Sequence, residues 1–284
     1  MLGGAVTMQN NWYEDLNVYI RLGEPPKKEK TLAWQTAIGL QAVDGLNTSE
    51  YLLETAKDNI EGKITISEAN DRIITYYAEK NDRKAIEDGT READIVSGRI
   101  AELLGERAFK FSPATWFAIH RYLFADVFSH AGRIRDYNIS KNEWVLNGKS
   151  VFYASYDSIQ ATLDYDFQNE KDFSYRALSK QELVKHIAKF TSDIWQIHPF
   201  CEGNTRSTAV FIIKYLTAKG FRLGNEYFAK NSWYFRNALV RANYEDYQLD
   251  VYPTTIYLEN FFENLLFKSQ HELKNRFLHI NWKK

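Results

Sequence analysis

Apolar positions recur at helical spacing over most of the chain. Trp116, Ile119, Leu123 and Val127 fall on one helical face. Ser112-Pro113, just ahead, supplies a capping serine and a proline for the first turn. Leu183, Ile187, Phe190, Ile194 and Ile197 repeat the stripe, with Ser179 and Glu182 at capping-box spacing before it. Val210, Ile213 and Leu216 (or Tyr215) carry a third stripe, which Gly220 is placed to stop. Ser232 is expected to cap a further helix carrying Phe235, Leu239 and Ala242. One segment departs from this period. Residues 144–153 place Asn147-Gly148 between two β-prone runs, the strongest short hairpin signal a sequence offers. The expected fold class is all-α: a helical core, one β-hairpin and an N-terminal helical extension.

The polar break at residues 23–30 (GEPPKKEK) reads as an exposed loop. The charged, apolar-poor stretch at residues 81–93 suggests a boundary. Residues 1–90 are then an N-terminal helical region, and residues 91–284 the main domain with a C-terminal helical tail. Basic and acidic residues balance at 36 against 37, which offers no general attraction to nucleic acid. The single cysteine, Cys201, excludes an internal disulfide and a multi-cysteine zinc site. No run approaches the roughly 20 apolar residues of a membrane span, and the start lacks the pattern of a signal peptide. A cytoplasmic protein able to form an oligomer is expected.

The candidate chemistry lies between the second and third stripes, in His198-Pro199-Phe200-Cys201-Glu202-Gly203-Asn204-Thr205-Arg206. Pro199 ends the preceding helix near His198. Gly203-Asn204 suits a turn, and Thr205-Arg206 open the next helix. Backbone amides at such a turn form an anion site. His198 can take a proton, Glu202 can hold a divalent cation, and Arg206 can receive developing negative charge. That combination suits phosphoryl or nucleotidyl transfer. The plain alternative is a helix-capping turn with a structural histidine.

The string HPFCEGNTRS closely resembles the Fic-family signature, His-x-Phe-x-(Asp/Glu)-Gly-Asn-x-Arg-x-x-Arg, matching at every fixed position but the last, where Ala209 stands. The upstream segment 126–141 and the 144–153 hairpin fall where such proteins place them, so the resemblance spans about residues 95–266. It implies a Fic fold and transfer of AMP from ATP to a Ser, Thr or Tyr hydroxyl of a target protein, with Mg²⁺ or Mn²⁺ as cofactor. By position, His198 would be the general base and Phe200 would anchor the loop. Glu202 would ligate the metal. Gly203, Asn204 and Thr205 would cradle the phosphates and Arg206 would contact them. The hairpin tip, Leu146, Asn147, Gly148 and Lys149, would be a flap docking the target. The absent last arginine helps hold the γ-phosphate in the family. Upstream, Glu61-Gly62 at the end of a helix spanning about residues 49–62 resembles the family's inhibitory helix, although Lys57 occupies its serine position. Glu61 is then expected to reach Arg206 or the nearby anion turn. The alternatives are a degenerate Fic scaffold acting as a peptide-binding module, or a Fic variant that uses another diphosphate donor or removes AMP.

Overall fold

The computed structural model describes residues 11–80, 83–87 and 89–282. The boundary expected at residues 81–93 falls partly outside them. Twelve helices are described in that range: α1 Trp12–Leu22, α2 Pro25–Gly39, α3 Glu50–Glu61, α4 Ile66–Lys80, α5 Arg83–Glu87, α6 Thr90–Gly105, α7 Pro113–Phe124, α8 Ile159–Asp172, α9 Lys180–Ile197, α10 Asn204–Ala218, α11 Glu226–Ala242 and α12 Ile256–Phe267.

The centre of the fold is α10, buried without interruption from Asn204 to Leu216. A helix hydrophobic or small on every side belongs inside a core, and α10 is enclosed by α6, α7 and α9. Around it, α9 packs against α8 and α12, and α11 against α12 and α2. The N-terminal helices join the same core through α2, which lies on α6 and α11. Gly39 makes that crossing close, since a Cβ there would lie 2.2 Å from the Ala229 carbonyl oxygen. Buried Asp94 of α6 ties down the neighbours. It accepts from the Ser49 amide (2.9 Å) and hydroxyl (2.5 Å) at the start of α3, and from the Tyr77 hydroxyl of α4 (2.6 Å).

The helix starts follow local chemistry. Ser112 caps α7 through the Thr115 amide with Pro113 at the first position. Ser179 and Glu182 form the expected capping box on α9. Two expectations give way to tertiary context. The prolines of residues 23–30 begin α2 rather than a loop, because a helix's first turn has no use for their missing N–H groups. Ser232 does not start a helix. It lies inside α11, just past a kink at Asn231, and donates to the Gly39 carbonyl.

The hairpin is not formed. Among the described residues there is no strand, only an isolated bridge between Asp246 and Val251. Residues Trp144–Leu146 make a 3₁₀ turn, and Asn147 (φ 55°) and Gly148 (φ 83°) are left-handed. Asn-Gly therefore makes a tight turn, closed by the Glu143 amide on the Lys149 carbonyl (3.1 Å) and the Gly148 amide on the Glu143 carbonyl (3.0 Å). What fails is the ladder. Consecutive Val145 and Leu146 are both fully buried, which the alternation of a strand forbids. The Val145 carbonyl is taken by the Ile280 amide instead (3.0 Å).

Candidate active site

The loop joining α9 to α10 is bracketed by two left-handed residues, His198 (φ 48°) and Gly203 (φ 75°). A Cβ at Gly203 would meet the Phe124 ring at 2.3 Å, so position 203 needs glycine for space as well as for torsion. Asn204 closes the turn. Its side chain accepts from the Phe200 amide (3.0 Å) and donates to the Phe200 carbonyl (2.7 Å). Phe200 is fully buried against Trp116, Phe117 and the His120 ring, the last stacked at 3.7 Å. Thr205 accepts from the Trp195 indole N–H (3.0 Å). The side chains of Phe200, Asn204 and Thr205 thus fix the loop, leaving the amides that open α10 without partners inside the helix.

His198 is buried, its ring packed against Tyr153 at 4.2 Å and the edge of Trp195 at 5.0 Å. Its Nδ1 lies 3.1 Å from the Trp195 carbonyl. A carbonyl only accepts, so Nδ1 carries the hydrogen and Nε2 is the nitrogen free to take a proton. Burial, and next the Lys141 charge, hold the ring's pKa well below 6.5, so the imidazole is neutral.

Two supports of this loop were not among the residues the sequence pointed to. Arg135 is buried with no carboxylate partner among the described residues, and donates to the carbonyls of His198 (2.7 Å), Tyr137 (2.7 Å), Ala154 and Ile197 (3.3 Å). His120 accepts from the Gly132 amide at Nδ1 (2.9 Å) and donates from Nε2 to the Glu202 carbonyl (2.8 Å). Burial pushes its pKa down to about 3. A signal for His120 was available, since it stands four residues after Trp116 on the apolar face.

A cavity of about 490 Å³ opens beside the loop. Asp44, Glu92, Glu202, Arg206 and Arg236 give its polar lining, and Val43, Leu46, Phe128 and Trp233 its apolar one. His198 is not in that wall. Glu202 is half exposed and paired with Lys141 at 2.9 Å. Arg206 is buried. Its Nε lies 2.7 Å from the Asp44 carboxylate, off the hydrogen-bond line, and its other nitrogens reach Glu92 (2.5 Å) and Gln41 (3.0 Å). The structure does not bring Glu61 to this arginine. Glu61 accepts from the Tyr19 hydroxyl (2.6 Å) and pairs with Lys63 (2.6 Å), while Gly62 (φ 81°) merely ends α3. Leu146 is buried and Lys149 pairs with Asp246 at 2.5 Å, so the 146–149 tip is engaged by the protein itself.

Residues 110–216, which contain the whole loop and its supports, match the model of the Fic/DOC family. The probable protein adenylyltransferase y4lH of Sinorhizobium fredii is 29% identical over 149 residues, 52% of this chain and 72% of that protein. Protein adenylyltransferase VbhT of Bartonella schoenbuchensis is 26% identical over 129 residues, 45% of this chain but only 24% of VbhT. The fold is similar to the crystal structure of the N-terminal Fic domain of a Bartonella effector protein from Bartonella sp. AR 15-3. The TM-score is 0.51 and the identity 21%, over 66% of this chain and 84% of that one. The matched segment runs from α7 to α10 and includes the buried motif loop; α1–α6, α11 and α12 lie outside it.

Proposed function

We propose that this protein is a Fic-type protein adenylyltransferase, moving AMP from ATP to a side-chain hydroxyl of a target protein. The observation that carries the reading is His198: a neutral imidazole with Nδ1–H committed to the Trp195 carbonyl, at the head of a loop whose far end opens a helix and whose domain is shared with two adenylyltransferases. In the transfer, the target oxygen attacks the α-phosphorus, its bond to phosphorus forms, and the bond from phosphorus to the pyrophosphate oxygen breaks. His198 Nε2 takes the hydroxyl proton. The amides of Gly203, Asn204 and Thr205 and the guanidinium of Arg206 face the charge that grows on the phosphates.

Glu202 is the residue that would hold Mg²⁺ or Mn²⁺. Its carboxylate is half exposed at the cavity wall, and one carboxylate plus substrate phosphates is an ordinary magnesium site. Among the described residues no group of three His, Cys, Asp or Glu could cage a metal by itself. The bound cation would offset charge on the leaving pyrophosphate. Lys141, 2.9 Å from Glu202, must give way to it.

The enzyme is read as autoinhibited, but not through Glu61. Asp44 and Glu92 neutralise Arg206, and Asp44 stands in the cavity wall where phosphate charge would go. The protein is expected to act without crossing a membrane: no described helix is long and apolar enough to span one.

The test of the function is transfer from ATP labelled at the α-phosphate, with Mg²⁺, to the protein itself or to lysate proteins. His198→Ala should lower it by about 10²–10⁴-fold, the usual cost of losing a positioned base. Label arriving instead from the γ-phosphate would make the protein a kinase, and an undiminished His198→Ala variant would remove His198 from the chemistry.

A further inference from the structure

The cavity beside the motif loop has two guanidiniums in its wall, and they come from different helices. Arg206 is delivered by α10 and Arg236 by α11. No other arginine lines it. Ala209, one turn beyond Arg206, is fully buried in the core, so α10 itself sends no second cation there.

Arg236 is held in a way that fixes its direction. Glu143, whose side chain is wholly buried, accepts from its two terminal nitrogens at 2.5 and 3.0 Å. The Trp233 indole lies beneath the guanidinium, 5.1 Å from ring centre to carbon. A carboxylate uses one edge of the fork, whereas a guanidinium carries five N–H donors, so the rest remain for the cavity. Because Glu143 is buried and cannot rejoin solvent cheaply, the pair persists when the cavity fills. Arg206 differs. Its partners Asp44 and Glu92 are partly exposed in the cavity wall, where they can be displaced. One guanidinium is preorganised and the other is guarded.

The lining combines apolar side chains with two guanidiniums and three carboxylates, Asp44, Glu92 and Glu202; once Asp44 and Glu92 are displaced from Arg206 it fits an elongated polyanion with an aromatic end. At about 490 Å³ the volume is in the ordinary range of small-molecule sites. We propose that Arg236 is a second phosphate-binding residue, gripping the terminal phosphates of a nucleoside triphosphate from the α11 side, and that it makes the site prefer a triphosphate over a monophosphate. This rests on reading the cavity as the nucleotide site.

The experiment measures binding of AMP, ADP and ATP, each with Mg²⁺, to the full chain and to Arg236→Ala, Arg236→Lys and Glu143→Gln. Arg236→Ala should weaken ATP about tenfold or more, the scale of a charge-assisted hydrogen bond to phosphate, while AMP changes by less than about twofold. Glu143→Gln, which keeps the cation, should retain the preference for ATP. Equal losses for AMP and ATP would mean that Arg236 only props the 143–153 loop, and would overturn the assignment. So would an ATP affinity untouched in Arg236→Ala. If Arg236→Ala does not fold, the ratio of ATP to AMP affinity in Arg236→Lys decides, since lysine keeps the charge but loses the fork: an unchanged ratio overturns the proposal. Wild-type protein that binds none of the three nucleotides would instead sink the nucleotide reading itself.

Discussion

Gly203 has no substitute at its position. Its φ of 75° is costly for other residues, and a methyl group would press on the Phe124 ring at 2.3 Å. Gly203→Ala should therefore destabilise the fold by roughly 1–3 kcal/mol, read from the denaturation midpoint. An alanine variant as stable as the parent would mean that Phe124 yields freely. His120 is the second residue whose environment dictates its state. Both ring nitrogens are used by the backbone, and a proton on Nδ1 would break the bond from the Gly132 amide. Much of this scale was legible in the sequence. Ser112, Ser179, Gly62 and Gly220 act within one turn of themselves, so their neighbours in sequence suffice to read them. His198 and Phe200 were legible through the motif. The roles of Arg135 and His120 were not, because apart from Tyr137 their partners lie 12 to 82 residues away.

At the scale of elements, the site is a junction of pieces held by a few polar contacts. Arg135 joins the segment at Tyr137, the segment at Ala154 and the end of α9 by donating to four carbonyls. Removing it leaves buried acceptors unpaired. Arg135→Ala is expected to lower the rate of transfer more than nucleotide affinity, because His198 is misplaced rather than the cavity. Arg135→Lys should rescue little, since an ammonium lacks the planar fork. Equal rescue by lysine would make charge, not geometry, the requirement. The turn Leu40–Asp44 against α10 is the second such contact. Asp44→Ala removes one of the two carboxylates on Arg206 and should raise self-modification several-fold, whereas Glu61→Gly should leave it unchanged because Glu61 faces Tyr19 and Lys63. The opposite pattern in the same labelling assay would return control to the end of α3. The sequence pointed to Glu61 because Glu-Gly at a helix end matches a pattern. Which acidic residue meets Arg206 depends on how the Leu40–Asp44 turn and α6 lie on α10, and spacing along the chain carries no record of that.

Across the whole molecule, stability should carry the mark of the buried histidines. His120 has a folded-state pKa of about 3 against 6.5 unfolded, both nitrogens being occupied in the fold. Below pH 6.5 the unfolded chain therefore binds the proton that the folded one refuses. Its contribution is intact above that pH, declines as the pH falls, and is fully lost near pH 3. At about pH 5 the loss from this group is on the order of 2 kcal/mol. Melting temperatures of wild type and His120→Gln should converge between about pH 7.5 and pH 5, the difference isolating this group from the carboxylates that titrate alongside it. A gap that stays constant would mean that His120 is protonated in the fold or equally shielded when unfolded.

The amino-acid sequence by itself determined that the protein is helical, where α7, α9 and α10 run, and which loop carries the Fic-like motif. Those features rest on periodicity, capping and a contiguous motif, all of which act over a few residues. Tertiary structure alone decided the rest. Asn147-Gly148 turned the chain as its local preference requires, yet buried Val145 and Leu146, the Ile280 amide and the Glu143–Arg236 pair left no ladder for strands to form. The partners of Arg206 and the second guanidinium of the cavity were likewise set by helices distant in sequence. Local backbone preference is encoded residue by residue; the identity of the group across a cavity is fixed only when the packed core brings separate helices together.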